Sequence, residues 1–350
     1  MVTKTADDLR TLVQKMLVAA GTDDQTAFAV SDHLVQSNLA GVETHGVNQL
    51  WRYLLDIRNG QIVPDAQPAV LKQAANSALV GGNWTFGHAV AKFGMELGIE
   101  KAKAGDIAII SMVQLHHIGR VGTYGEMAAR AGMVGMTFGA GYCQAAKRTA
   151  PYGGRGRVLD TNPISMGFPN PQESDDRPVL LDYATTTKAH SAVYLAKRRG
   201  QDLPPGLVID KDGNPSTDPN AFYDDGSLLP FGLHKGYCLM MAVEFLGRII
   251  SGSDEYMDPN RGDMLFRHQG VTMIVFKADL FRSMPDYNKS AFDMAQWTRS
   301  IDPAPGFDQV MMPGDPEANR RAEYLRDGIP IADDVWKTIV DEAKTLGVDV

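Results

Sequence analysis

Three polar clusters in this sequence carry residue types whose spacing suits chemistry. Thr44-His45-Gly46 stands at the junction between two helical stretches. An imidazole there could serve as general acid or base, because its ordinary pKa of about 6.5 matches proton transfer near neutrality. Read alone, it is more simply a surface or capping histidine. The second cluster, Leu115-His116-His117-Ile118-Gly119-Arg120, directly follows an apolar run of buried-strand type. The carboxyl end of a buried strand is where α/β proteins place ligands. Adjacent histidines on an extended segment point apart, so this pair does not read as one metal site. The third cluster is dispersed over Pro151-Tyr152-Gly153-Gly154, Thr161-Asn162-Pro163 and Asp182-Tyr183-Ala184-Thr185-Thr186. Glycine lets backbone approach a ligand, and hydroxyls with free amides suit phosphate oxygens. Taken singly, each of these segments is an ordinary turn. Gly232-Leu233-His234-Lys235-Gly236 reads either as an anion-attracting helix start or as a solvated lysine.

The elements that must position these residues follow from apolar periodicity. Leu9, Leu12, Val13 and Met16 share one helical face after Thr5-Ala6-Asp7-Asp8, which supplies an N-cap and an acidic first turn. A second helix runs from Thr22-Asp23 towards Gly41, and a third from about Val47 to Arg58. Short strands are expected at 69–71 and 78–80, then a helix over 88–104 and a buried strand over 107–113. Further expectations are a helix over 122–130, strands over 133–138, 179–184 and 271–276, a helix through Tyr194 and Leu195, and a turn at Asp212-Gly213. The strongest helical pattern is 234–250, and two helices, around 317–326 and 333–346, close the chain. A helical lobe over 1–68, a mixed α/β region over 69–300 and terminal helices over 301–350 that return to the first lobe make up the expected organisation.

Composition narrows the classes of function. The chain has 350 residues, 44% hydrophobic, enough for a substantial core. Lys and Arg number 34 against 42 Asp and Glu, a net charge of −8, which gives nucleic acid no electrostatic footprint. No apolar run nears the ~18–20 residues of a spanning helix, and the first residues lack the apolar segment of a signal peptide. Cys143 and Cys238 are too few for a disulfide framework and have no metal-ligand spacing. The expectation is a cytoplasmic α/β enzyme without metal. No G-x-G-x-x-G follows a strand, and Walker A, H-E-x-x-H and G-x-S-x-G are likewise absent.

Taken in order, Thr44-His45-Gly46-Val47, His117-Ile118-Gly119-Arg120-Val121-Gly122-Thr123-Tyr124, Pro151-Tyr152-Gly153-Gly154, Thr161-Asn162-Pro163-Ile164, Leu181-Asp182-Tyr183-Ala184-Thr185, Leu229-Pro230-Phe231-Gly232-Leu233-His234-Lys235-Gly236-Tyr237 and Pro313-Gly314-Asp315 span most of the chain. The ordered set resembles the malate/L-lactate dehydrogenase superfamily of NAD(P)-dependent oxidoreductases without a Rossmann fold. The resemblance implies a non-Rossmann, NAD(P)-binding mixed sheet, a helical lobe built from both chain ends, and a homodimer. It implies hydride transfer between nicotinamide, from NAD or NADP, and a 2-hydroxy or 2-oxo acid or a related polar substrate. Its alternatives are reduction of a cyclic imine and a non-catalytic cofactor-binding homologue. By the family pattern His45 is the leading proton donor or acceptor, Asp182 its orienting partner, and His117 the second histidine. Thr161, Asn162, Asp182, Ala184, Thr185, Thr186, His234, Lys235, Gly314 and Asp315 match cofactor-binding segments. Thr44 stands where many relatives have serine, and Gln49 where many have a carboxylate-binding arginine. Arg120 is the expected replacement for that cation, with Arg52 as the second candidate. Leu233 replaces a glycine of the usual Gly-Gly-His-Lys run.

Overall fold

The computed structural model describes residues 1–141, 147–170 and 177–350, so Cys143 lies outside the described residues. The chain opens with a short strand β1 (Val2–Lys4), then α1 (Ala6–Ala19) and α2 (Asp24–Leu39). Thr5 and Asp23 cap these helices, accepting from the backbone N–H of Asp8 at 3.1 Å and of Thr26 at 3.0 Å. Two single 3-10 turns, Glu43–His45 and Val47–Gln49, precede α3 (Leu50–Arg58). The third helix therefore begins later than the periodicity predicts, and the residues before it are spent on bending the chain.

The central sheet follows. Strands β2 (Ala69–Ala74) and β3 (Ser77–Gly81) lead into α4 (Gly87–Gly105), β4 (Ile107–Val113), α5 (Gly122–Arg130), β5 (Met133–Ala140), β6 (Ile164–Phe168) and β7 (Val179–Tyr183). Next come α6 (His190–Arg199), a three-stranded patch of β8 (Val208–Ile209), β9 (Pro215–Ser216) and β10 (Ser227–Leu228) around α7 (Pro219–Tyr223), and α8 (His234–Glu244). Asp212-Gly213 turns β8 into β9, and α8 continues into a π-helical turn, Phe245–Ile249. The remaining elements are α9 (Asp263–Phe266), β11 (Gly270–Lys277), α10 (Met284–Arg299), α11 (Asp315–Asp327), β12 (Ile329–Ile331) and α12 (Asp333–Leu346).

Seven strands pair in the order β2-β3-β4-β11-β5-β6-β7 among the described residues. β3 and β4 run parallel, as the α4 crossover between them requires, whereas β11 lies antiparallel between β4 and β5. A mixed sheet with that insertion is not a doubly wound dinucleotide fold, which agrees with the missing glycine fingerprint. One end of β4 corrects the sequence reading: Ile107 and Ile109 are each 42% exposed, because α4 covers only one face there. The strands β1, β6, β8, β9, β10 and β12 and the helices α7, α9 and α10 escaped the periodicity. In α10 only Ala295 is buried, so no apolar stripe announces it.

Two cores flank the site. One joins α1, α2 and α3 to the chain end through Ile329, Ile331, Ile339 and Ala343. The other packs α4 and α5 on the sheet, through Val90, Met95, Ile110, Met112, Tyr124 and Met273. No helix of the described residues is long and apolar enough to cross a membrane.

Candidate active site

A cleft of about 440 Å³ opens between the two cores, with His45, His117, Asp182 and Ala184 on its walls. His45 ends the first 3-10 turn after α2, and the two residues that follow it, Gly46 and Val47, are held against Asn38. The Asn38 Oδ1 accepts the Val47 N–H at 2.9 Å, and a Cβ on Gly46 would overlap that side chain. His117 arrives from the other side, on the segment after β4. That segment is clipped to the loop before α4, where the Trp84 N–H donates to Gln114 O at 2.8 Å, and to the residue before β11, where Gln269 Nε2 donates to His116 O at 2.9 Å. The two catalytic-type imidazoles meet with ring centroids 5.2 Å apart.

Five of the chain's eight histidines converge here: His33, His45, His88, His116 and His117. Burial disfavours the charged form of His33, His45, His88 and His117. Desolvation, then the Arg120 charge, lowers the His45 pKa to about 4, although its ring edge reaches the cleft. Its Nδ1 is shut off and has no hydrogen-bond partner. Desolvation, followed by repulsion from His45 and His88, holds His117 well below the ordinary histidine range. His117 Nδ1 lies 2.7 Å from the Tyr53 hydroxyl on α3.

Two expectations change at Arg120 and Asp182. Arg120 is fully buried and does not line the cleft. Its guanidinium lies 2.8 Å from Glu126 and 3.1 Å from Asp182, and the Arg120 backbone N–H donates to His33 Nε2 at 2.9 Å. It is not placed to bind a substrate carboxylate, because its guanidinium is buried behind the cleft wall. Asp182 in turn faces Arg120, and no hydrogen bond joins it to His45, so it does not orient that ring in this structure. Burial raises the Asp182 pKa, with Arg120 and the Gly122 N–H opposing.

Cations do reach the cleft, at Arg52 and Arg148. Arg52 donates to Asp263 at 2.8 Å and sits 3.5 Å from Asp56. Asp56, Asp263 and His116 hold one ligand atom each within 4.8 Å of one another, and Arg52 is the positive charge between the carboxylates. Arg148 pairs with Asp160 at 3.0 Å. Thr44 and Gln49 also line the cleft, and Gln49 Nε2 donates to Thr44 O at 2.8 Å, bracing the His45 turn.

The other expected residues separate into groups. Thr161 lines the cleft, whereas Asn162, Thr185 and Thr186 are buried beneath its wall. The Thr185 hydroxyl and N–H are spent on the carbonyls of Thr161 and Asn162. Gly314 borders a neighbouring cavity of about 170 Å³, with Leu180, Arg130, Arg177 and Arg321. Asp315 is held by Arg299 at 2.6 and 2.8 Å. His234 and Lys235 are exposed at the start of α8 and do not reach the His45 cleft within one chain. Tyr53, His88, Arg148, His190 and Glu317 were not singled out by motif, since each belongs to an otherwise ordinary helix or loop.

The family model described as malate/L-lactate dehydrogenase matches residues 5–340. The chain belongs to that family. It is an enzyme, a dehydrogenase of the family. Hydroxycarboxylate dehydrogenase B of Escherichia coli K12 is 33% identical over 349 residues, covering 98% of this chain and 94% of that protein. Malate/(S)-sulfolactate dehydrogenase of Methanothermus fervidus is 30% identical over 353 residues, covering 98% of each chain. Among solved structures, a malate/lactate dehydrogenase from E. coli superposes with a TM-score of 0.88 at 32% identity, covering 100% of this chain and 96% of that one. The Δ1-piperideine-2-carboxylate reductase of Pseudomonas syringae pvar. tomato gives a TM-score of 0.84 at 27% identity, covering 98% and 100%.

Proposed function

We propose that this dehydrogenase interconverts a 2-hydroxy acid and its 2-oxo acid with NAD or NADP. The observation that carries the reading is the convergence of His45 and His117 with Arg52 and Arg148 on one cleft. An imidazole to move a proton and cations for a carboxylate are what the reaction asks of a protein.

The fit to a dinucleotide is supported by the chemistry of the walls. The cleft and the 170 Å³ cavity share Glu317 and follow β7, from Asp182 to Leu180. Arg130, Arg177 and Arg321 in the second cavity suit a pyrophosphate, and Asp182, Ala184 and Thr161 would hold the nicotinamide end. When bound, the nicotinamide supplies or accepts the hydride.

His45 is neutral in the free enzyme, so it is ready to take the hydroxyl proton of a 2-hydroxy acid. A bound anion beside it favours the imidazolium, which readies the same ring to return that proton in reduction. Arg52 and Arg148 anchor the substrate's carboxylate, while Gln49 holds the turn that carries His45. The chain is further read as a homodimer. Leu233, Phe245, Ile249 and Ile250 leave an apolar face of 50–66% exposure along α8 and its π turn, which sedimentation would show paired or free.

The deciding experiment is one plate of purified protein with both reduced cofactors and a panel of 2-oxo acids, sugar-derived keto acids and cyclic imines, read by absorbance. The imine arm answers the likeness to the piperideine-carboxylate reductase structure. His45→Ala is expected to lose turnover by at least about 100-fold while cofactor affinity, read by fluorescence, is kept. Near-full turnover would move the proton to another group.

A further inference from the structure

His117 on the cleft wall is joined through the Tyr53 hydroxyl to the buried His88. Tyr53 Oη lies 2.7 Å from His117 Nδ1 and 3.3 Å from His88 Nε2. The phenol is fully buried, and desolvation pushes its pKa far above the ordinary tyrosine value. It is therefore a neutral O–H, with one proton to give and lone pairs to receive. Desolvation likewise lowers both histidines, His88 to about 3, so each ring carries a single proton at neutral pH.

Two arrangements satisfy both contacts. In the first, Tyr53 donates to His117 Nδ1 and His88 Nε2–H donates to Tyr53, which leaves His117 protonated on Nε2. In the second, Tyr53 donates to His88 and receives from His117 Nδ1–H, which leaves His117 Nε2 a bare lone pair. Two observations separate them. His88 Nδ1 is buried without a hydrogen-bond partner among the described residues. The second arrangement strands an N–H there and the first only a lone pair, and a stranded N–H is the costlier orphan. The lengths agree, since hydroxyl donors sit closer than N–H donors; the 2.7 Å contact suits O–H given to His117, and the 3.3 Å contact a weaker N–H from His88.

We propose that Tyr53 is a positioning residue that fixes His117 as the Nε2–H tautomer, a neutral hydrogen-bond donor to an oxygen of the bound substrate. The inference rests on the functional reading above, in which His45 moves the proton. His117 then polarises and orients the oxo group without itself exchanging charge.

The test is spectroscopic first. Two-bond proton–nitrogen spectra of the full-length protein with 15N-labelled histidine, assigned with His117→Gln, report which ring nitrogen carries the proton. The expected result is Nε2–H for His117, unchanged from about pH 6 to about pH 8. Tyr53→Phe, which removes one oxygen and keeps the ring, is expected to mix the two tautomers. It should also lower kcat for the best substrate about tenfold, the scale of one hydrogen bond, with little change in KM. A wild-type His117 protonated on Nδ1 or on both nitrogens overturns the proposal, as does an unchanged tautomer in Tyr53→Phe. Absence of turnover by the wild type on the whole panel refutes the functional reading instead, and the tautomer spectra still decide the role of Tyr53.

Discussion

Arg120 keeps its charge inside the protein, between Asp182 and Glu126, with Arg321 3.3 Å from the other Glu126 oxygen. Burial alone lowers a guanidinium pKa, but Glu126 and then Asp182 outweigh it and raise the value. An ion cluster of this kind is costly to break from one side, because Asp182 stays buried without its cation while Glu126 keeps only the longer contacts to Arg321 and Arg130. Arg120→Ala is therefore expected to lower stability by roughly 3–5 kcal/mol, read from the urea midpoint. A variant of near wild-type stability with only a raised KM would return Arg120 to the substrate. Gln49 makes the complementary point: its amide is spent on the Thr44 carbonyl, so a neutral side chain at this position holds the His45 turn where an arginine would reach outward.

At the scale of elements, the site depends on close approaches between chain segments. Gly46 faces Asn38 on α2, and Gly87 at the start of α4 faces the carbonyls of His116 and His117; a Cβ at either place would overlap its neighbour. Gly46→Ala must move the Asn38 side chain or the turn bearing His45. The expected result is a loss of kcat of about tenfold or more, with a stability cost of about 1–3 kcal/mol, measured by kinetics and denaturant unfolding. Unchanged kinetics would show that the turn has slack. Leu233 presents the reverse case. Its backbone adopts φ 58° and ψ −131°, which glycine takes freely and leucine takes only under strain. The helix start is thus kept despite the departure from the usual glycine.

Across the whole molecule, the gathered histidines make stability depend on pH. His33, His45, His88, His117 and His190 are all lowered, first by desolvation, with His45 and His190 at about 4. An unfolded chain takes up protons on these rings near pH 6.5, and the folded chain takes them up only at lower pH, about 4 for His45 and His190. The unfolded state thus binds more protons across that window, so stability present above pH 6.5 is lost as pH falls towards 4. Asp160, raised by burial to about 6, and Asp182 act in the opposite sense, but they are two groups against five. Tm is expected to fall steadily from about pH 7 to about pH 5, and a flat calorimetric profile over that range would contradict it. The chain ends share in this stability: β1 pairs with β12, and Arg58 on α3 binds Glu342 on α12 at 2.7 Å.

Local order was legible in the residues themselves. Thr5 and Asp23 cap the helices where they stand, and the apolar runs of β4, β5 and β11 form strands, because caps and periodicity act over a few neighbouring positions. The ordered motifs also pointed to the family and to His45, His117 and Asp182. What they left open was pairing and charge. Arg52 meets Asp263 across 211 positions, and His117 meets Tyr53 across 64. Only folding brings such groups together and removes their water, and burial and partners, more than residue type, decide which histidine resists protonation and which arginine reaches the cleft.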